Sequence, residues 1–223
     1  SRLSTGSSPF AKLAVVATNE KAIPMFYRPQ DGHGLPHNPF NAIVTPRPIG
    51  WIATRGADGC DNLAPYSFFN AVASHPPQVM FASNGQKADR GDTKDTVGNI
   101  RETGVFVINI VGHEMQDAMN KSAASADRED DEFTLADLIK AEAQAIDCAF
   151  VADAPAALEC RMTQIIDLSG DTNLMVLGEV VGVHMREDYI VDGLLDVTKY
   201  QPLARMGYMD YASISDTFRL NRP

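Results

Sequence analysis

Residues 47–70, RPIGWIATRGADGCDNLAPYSFFN, decide how the rest of the chain is read. Two apolar pieces run into a polar turn, and small and aromatic residues follow. A half-exposed hairpin alternates apolar and polar side chains, and neither arm here does so. The turn GADGCD carries an Asp-Gly pair, a hairpin signal. The prolines interrupt regular pairing and leave backbone groups free. The small residues let a planar group come close, and Thr54 and Ser67 supply hydroxyls.

Working outward, Ile43–Arg55 reads as a strand broken by Pro46 and Pro48, and Leu63–Phe69 as an irregular strand. Upstream, residues 23–40 carry four prolines. They exclude a helix or a central strand and predict an extended segment laid over the domain or a neighbouring subunit. Residues 1–22 read as a tail or arm, which leaves 23–223 as one domain. Downstream, Gln78–Ser83 predicts a short buried strand, Thr96–Thr103 a helix closed by Gly104, and Val105–Val111 a strand of β-branched residues. Glu114–Lys121 and Thr134–Ala145 have helical spacing, with an acidic loop over 125–132 between them. Ala157–Leu168 and Leu174–Met185 form a hairpin about the turn SGDTN. The glycines in VLGEVVGVH are placed as in barrel bends. Hairpin-linked strands with few helices predict a mainly β fold, a split or closed antiparallel barrel with helical insertions.

Bulk charge narrows the function. The 29 acids against 19 bases leave a net charge of −10, which opposes nucleic acid and anionic membrane surfaces. No apolar run approaches the ~20 residues of a membrane span. Cys60, Cys148 and Cys160 suit no closed disulfide framework, and the expectation is free thiols in a soluble, cytoplasmic protein.

Several standard sites are absent. GHGLPH lacks the last glycine of a dinucleotide fingerprint, and neither a P-loop nor a GxSxG elbow occurs. HEMQD has Asp117 where HExxH needs histidine, and His33 and His37 have no third ligand, so no metal site is assigned. KADRGDTKDT, residues 87–96, gathers Lys87, Arg90 and Lys94 ahead of a helix start, an arrangement suited to a phosphate. By its motif alone it reads more simply as a solvated loop with Thr93 or Asp95 as helix cap. His184, at the end of a strand, reads as a packed or surface residue, or as a substrate-holding or proton-donating one beside a cofactor.

Seven segments together resemble the flavin reductase-like family with an FMN-binding split barrel. They are GHGLPHNPFNAIVTPRPIGWIATR, NLAPYSFFNAV, KDTVGNIRETGVFVIN, DEFTLADL, ALECRM, GEVVGVH and PLARMGYMDYA, in the family's order over roughly residues 25–212. The resemblance implies a homodimer with FMN, rather than FAD, near the interface. It implies flavin contacts at Arg47, Pro48, Ile49, Thr54, Ala64, Pro65, Tyr66 and Ser67. Ser83, Lys94, Asp95 and Thr96 would serve the phosphate and ribityl end, with Lys87 and Arg90 outside the site. His184 would lie near the flavin face, in a nicotinamide or proton role. Arg205, Gly207 and Tyr208 would close over the site. The implied activity is NAD(P)H-dependent reduction of flavin, with a partner monooxygenase, a metal complex or oxygen taking the electrons. The alternatives are an FMN electron carrier reduced by a partner protein, or a flavin-binding module without turnover. The cofactor carries such chemistry, and this accounts for the lack of a triad or carboxylate pair.

Overall fold

Gly50–Arg55 fails to alternate because both of its faces are buried. In a computed structural model, which describes residues 24–85, 95–124 and 130–221, this strand lies between two hydrophobic cores. The chain divides into two units, Ser1–Asn38 and Pro39–Pro223. The first contains a 3₁₀ turn at Pro29–Asp31 and the ring of Tyr27 edge-on to His33.

The second unit is mainly β. In chain order it comprises helix α1 (Phe40–Ile43), strands β1 (Arg47–Pro48), β2 (Gly50–Arg55), β3 (Asp61–Tyr66), β4 (Phe69–Ser74) and β5 (Pro77–Ser83), and helix α2 (Asp95–Thr103). Strand β6 (Val105–Ile110), helices α3 (Gln116–Lys121) and α4 (Glu132–Leu135), and strands β7 (Lys140–Glu142) and β8 (Ala149–Val151) come next. The chain ends with β9 (Ala156–Asp167), β10 (Leu174–Met185), β11 (Ile190–Val191), β12 (Leu194–Leu195), helix α5 (Val197–Tyr200), β13 (Leu203–Gly207) and β14 (Asp210–Ser213). Seven strands form one antiparallel sheet in the order β3-β2-β6-β9-β10-β5-β4. Its two edge strands follow each other in sequence, separated only by Ser67 and Phe68. The Ala82 N–H donates to the Phe68 carbonyl at 2.8 Å, so the sheet rolls up and its edges meet at the chain itself. The result is a split antiparallel barrel, the predicted fold class.

The side-chain period of two assigns the faces. Ile52, Tyr66, Phe81, Phe106, Ile108, Cys160 and Val176 point inward, and Val97 and Ile100 of α2 close one end. Trp51, Ala53, Leu63, Val107 and Ala157 point outward, under Met119, Phe133, Phe150 and Val151. A sheet covered on both sides reads as a continuous apolar run. Trp51 shows how the outer layer is fixed: its indole N–H donates to Ser122 at 2.8 Å. Asn109, fully buried, bonds the Trp51 carbonyl and the Val151 N–H and so pins β8 to the barrel. The long β9–β10 hairpin bulges at Gly178 and Gly182, the barrel bends expected from the sequence. A Cβ on Gly178 would stand 2.5 Å from the Phe106 ring, so glycine is needed there for packing.

Three expected elements are corrected. Thr134–Ala145 is not one helix: α4 runs only over Glu132–Leu135, capped by Asp131, and a turn leads into the short strand β7. Asp137 takes a positive φ of 57° and ends the helix, and Lys140 is drawn into ion pairs with Asp61 and Asp131 at 2.7 and 2.6 Å. Tertiary contacts outweigh local spacing there. Ile43–Arg55 is not one interrupted strand, because Ile43 ends α1 and pairing begins at Arg47. Leu63–Phe69 is two strands, split at Ser67–Phe68, where the barrel closes. The segment Glu114–Lys121 is helical as expected, opening with a 3₁₀ turn at His113–Met115. Among the described residues, no helix is long and apolar enough to cross a membrane. All three cysteines are free, and burial pushes the Cys148 thiol up to about 12.

Candidate functional site

Among the described residues, the buried polar side chains inside the barrel gather where α2 packs against β2, β3 and β5. There β3, β5 and α2 bring together Asn62, Tyr66, Ser83 and Thr96, three of them predicted from sequence. Thr96 Oγ1 donates to Asn62 Oδ1 at 2.8 Å, and Asn62 Nδ2 donates to Glu132 Oε1 at 2.9 Å. The other oxygen of Glu132 accepts the Leu63 N–H at 3.0 Å. Thr54, directly opposite Asn62 on β2, accepts from Asn99 Nδ2 at 3.1 Å. The Tyr66 phenol is pushed up to about 12 by burial, which the neighbouring hydroxyls of Thr96 and Ser83 partly offset. Outside Ser83 lies a cavity of about 260 Å³, lined by Ser83, Gly85, Arg101 and the turn between β9 and β10. Lys87, Arg90 and Lys94 lie outside the described residues. Asp95 is the first residue of α2.

Strand β3 is an edge of its sheet. The Leu63 N–H points away from β2, to Glu132. By alternation Pro65, which has no N–H, faces the same way. Ala64, Pro65 and Ser67 are half-buried along this edge, and Pro48 is exposed. A flat group can approach here without displacing a large side chain. Ile49 is different: it is 4% exposed and packs in the outer core, so its side chain is closed to a ligand.

A second group lies on the small sheet β1-β13-β14. Arg47 stands opposite Arg205. Arg205 in turn donates to the Tyr211 hydroxyl and the Tyr208 carbonyl. Tyr208 is half-exposed at a φ of 49°. Gly207 allows α1 to pack on this hairpin, since a Cβ there would meet the Ala42 Cα at 2.6 Å. Phe68 connects the two groups: its ring lies 5.6 Å from the Arg47 guanidinium, and its carbonyl holds Ala82 beside Ser83.

His184 belongs to neither group. Its side chain is on the outer face of the sheet, whereas Tyr66 and Ser83 face inward. Nε2 lies 2.5 Å from Glu159 Oε1, and the ring stacks on Phe150 at 4.4 Å. Glu159 is 1% exposed and also accepts the N–H groups of Gln144 and Ala145, at 2.8 and 2.7 Å. Burial alone would raise its pKa, but these donors and His184 together hold it below the ordinary carboxylate range.

Sequence reasoning missed Asn62, Asn99, Glu132 and Glu159. A lone acid inside the apolar run ALECRM is the signal that would have found Glu159. Nothing local marks Glu132, whose partners lie about 70 residues away.

Residues 43–204 match the flavin reductase like domain, and the chain belongs to that family. A protein of Deinococcus radiodurans, itself uncharacterized, is 40% identical over 191 residues, 82% of each chain. Nitrilotriacetate monooxygenase component B of Bacillus cereus superposes with a TM-score of 0.81 at 27% identity, covering 89% of this chain and 99% of that one. The 2-nitrobenzoate 2-nitroreductase of Pseudomonas fluorescens superposes at 0.73 with 31% identity, covering 82% and 88%.

Proposed function

We propose that this protein binds FMN and is a flavin oxidoreductase that accepts a hydride from NAD(P)H. The observation that carries the reading is the open β3 edge, small along Ala64, Pro65 and Ser67, which ends beside the polar cluster of a barrel matched to the flavin reductase like domain. The donor set fits the cofactor. The ring would lie along Arg47–Ile49, Thr54 and Ala64–Ser67. Ser83, Thr96 and Asp95 would meet the ribityl and phosphate end, with Lys94 supplying charge and the cavity beside Arg101 supplying room. Bound there, FMN would supply the hydride- and electron-transfer chemistry. The chain's own part is to bind, orient and exclude water. Arg205 and Tyr208 close the site from the C-terminal hairpin. His184, held by Glu159, has a nicotinamide-holding role only if a donor reaches the outer face.

A homodimer with the flavin near its interface is supported by the exposed apolar side chains of α1 and the hairpin: Phe40, Ile43, Tyr208 and Met209 are 58%, 68%, 49% and 82% exposed. The likeness to a monooxygenase component supports a partner oxygenase as electron acceptor, in a cytoplasmic setting.

The test is titration of the purified protein with FMN, followed by anaerobic mixing with NADH and NADPH. Saturable binding and bleaching of the flavin by one nucleotide are expected. Lys94→Ala should weaken FMN binding by about 1–3 kcal/mol, a lost charge-assisted contact, and unchanged affinity moves the phosphate elsewhere. A second reading, an electron carrier reduced by a partner protein, is favoured by the net charge of −10, which suits a basic partner. Bound flavin that neither nucleotide reduces would select it.

A further inference from the structure

Strands β1, β13 and β14 align Arg47, Arg205 and Tyr211 in one row. Directly opposed residues of antiparallel strands point to the same face, and like charges placed so are destabilising. The row therefore sets two guanidinium groups against each other. Neither has a carboxylate within ion-pair distance among the described residues, whereas Arg55 and Arg186 both do.

Arg47 is the sharper case. It is 7% exposed. One terminal nitrogen donates to the carbonyls of Asn41 and Val44, and Nε has no hydrogen-bond partner. Burial first, and the charge of Arg205 second, lower its pKa. The partners of Arg205 are a phenol and a carbonyl, both neutral. Buried charge without a counter-charge is costly, so buried Arg47, with the partly exposed cation of Arg205 opposite it, calls for an anion. The rings of Phe68, 5.6 Å from the Arg47 guanidinium, and Tyr211, 4.5 Å from that of Arg205, make the surroundings aromatic. A guanidinium fork matches a pair of oxygens on a planar group.

We propose that the Arg47–Arg205 row seats a planar organic anion, of which an aromatic carboxylate is the simplest form. The two opposed charges call for an anion with or without a cofactor. Such a seat deepens the flavin reading above, which gives it two occupants: the carboxylate of a second, aromatic substrate, or the oxygen-bearing edge of the flavin ring, which is neutral when oxidised and becomes anionic on reduction.

The experiment is calorimetric titration with benzoate and with the neutral benzamide, at fixed low salt, before and after saturation with FMN. Benzoate should bind at least about tenfold tighter than benzamide, a factor of ten being about 1.4 kcal/mol. Arg205→Gln should remove that preference, and Arg205→Lys, which keeps the charge, should restore part of it. Benzoate still bound after FMN saturation assigns the seat to a second substrate, and benzoate displaced by FMN assigns it to the flavin. Equal affinity for the two probes overturns the proposal, as does Arg205→Gln with wild-type benzoate affinity or Arg205→Lys no better than Arg205→Gln. A protein that binds benzoate but no FMN loses the flavin reading and keeps the anion seat.

Discussion

Two buried charges in this chain are treated in opposite ways. Glu159 is surrounded: three donors converge on its carboxylate, and the pair it makes with His184 is local and closed. Arg47 is left open, with neutral carbonyl partners and another cation opposite. Protein interiors pair their charges unless something else will. The saturated site therefore reads as a fastener that holds the 144–145 loop to the sheet. The unsaturated one reads as a place prepared for a ligand.

The largest effect should come from removing the fastener. Glu159→Ala strands two backbone donors and the imidazole, and is expected to cost about 3 kcal/mol in urea unfolding. A loss below about 1 kcal/mol would break the contrast at its strong end. Glu132→Ala, which releases Asn62 Nδ2 and the Leu63 N–H, should cost about 2 kcal/mol by the same measurement.

The acid limb sharpens the comparison further. The folded-state pKa of Glu159 is depressed, so its stabilisation is complete above the unfolded-state value of about 4.3. It fades as pH falls through the lower folded value. Wild-type unfolding midpoints should drop over that window, and Glu159→Gln, already less stable, should show a flatter curve. Parallel curves would mean that the carboxylate charge is not what the donors hold.

The smallest effect is expected on the open side. Arg205→Gln removes one of two opposed cations, so stability should change by less than about 0.5 kcal/mol while anion binding falls. A large loss of stability there would make Arg205 a fastener as well.

How much of this was legible follows from how local each signal is. The β9–β10 hairpin was readable because its turn, its β-branched arms and its bulge glycines lie within 30 residues. The segment at Gly50–Arg55 could be seen to be irregular, but not why: that depends on α3, α4 and β8, which cover Trp51 and Ala53 from a distance in sequence. The helix expected over Thr134–Ala145 failed because Asp61, far upstream, claims Lys140. The candidate site divides in the same way. Tyr66, Ser83 and Thr96 were named in advance and come together. Glu132, which orients Asn62, could not be named, because its partners are distant. His184 was named beside the flavin face, and its side chain lies on the other side of the sheet from Tyr66.

The central claim is that the open β3 edge and the polar end of the barrel hold a flavin. Equilibrium titration of the purified protein with FMN tests it most directly. The account predicts saturation at one flavin per chain, with the flavin absorption band perturbed on binding. A linear, unsaturable response with an unperturbed band would contradict it.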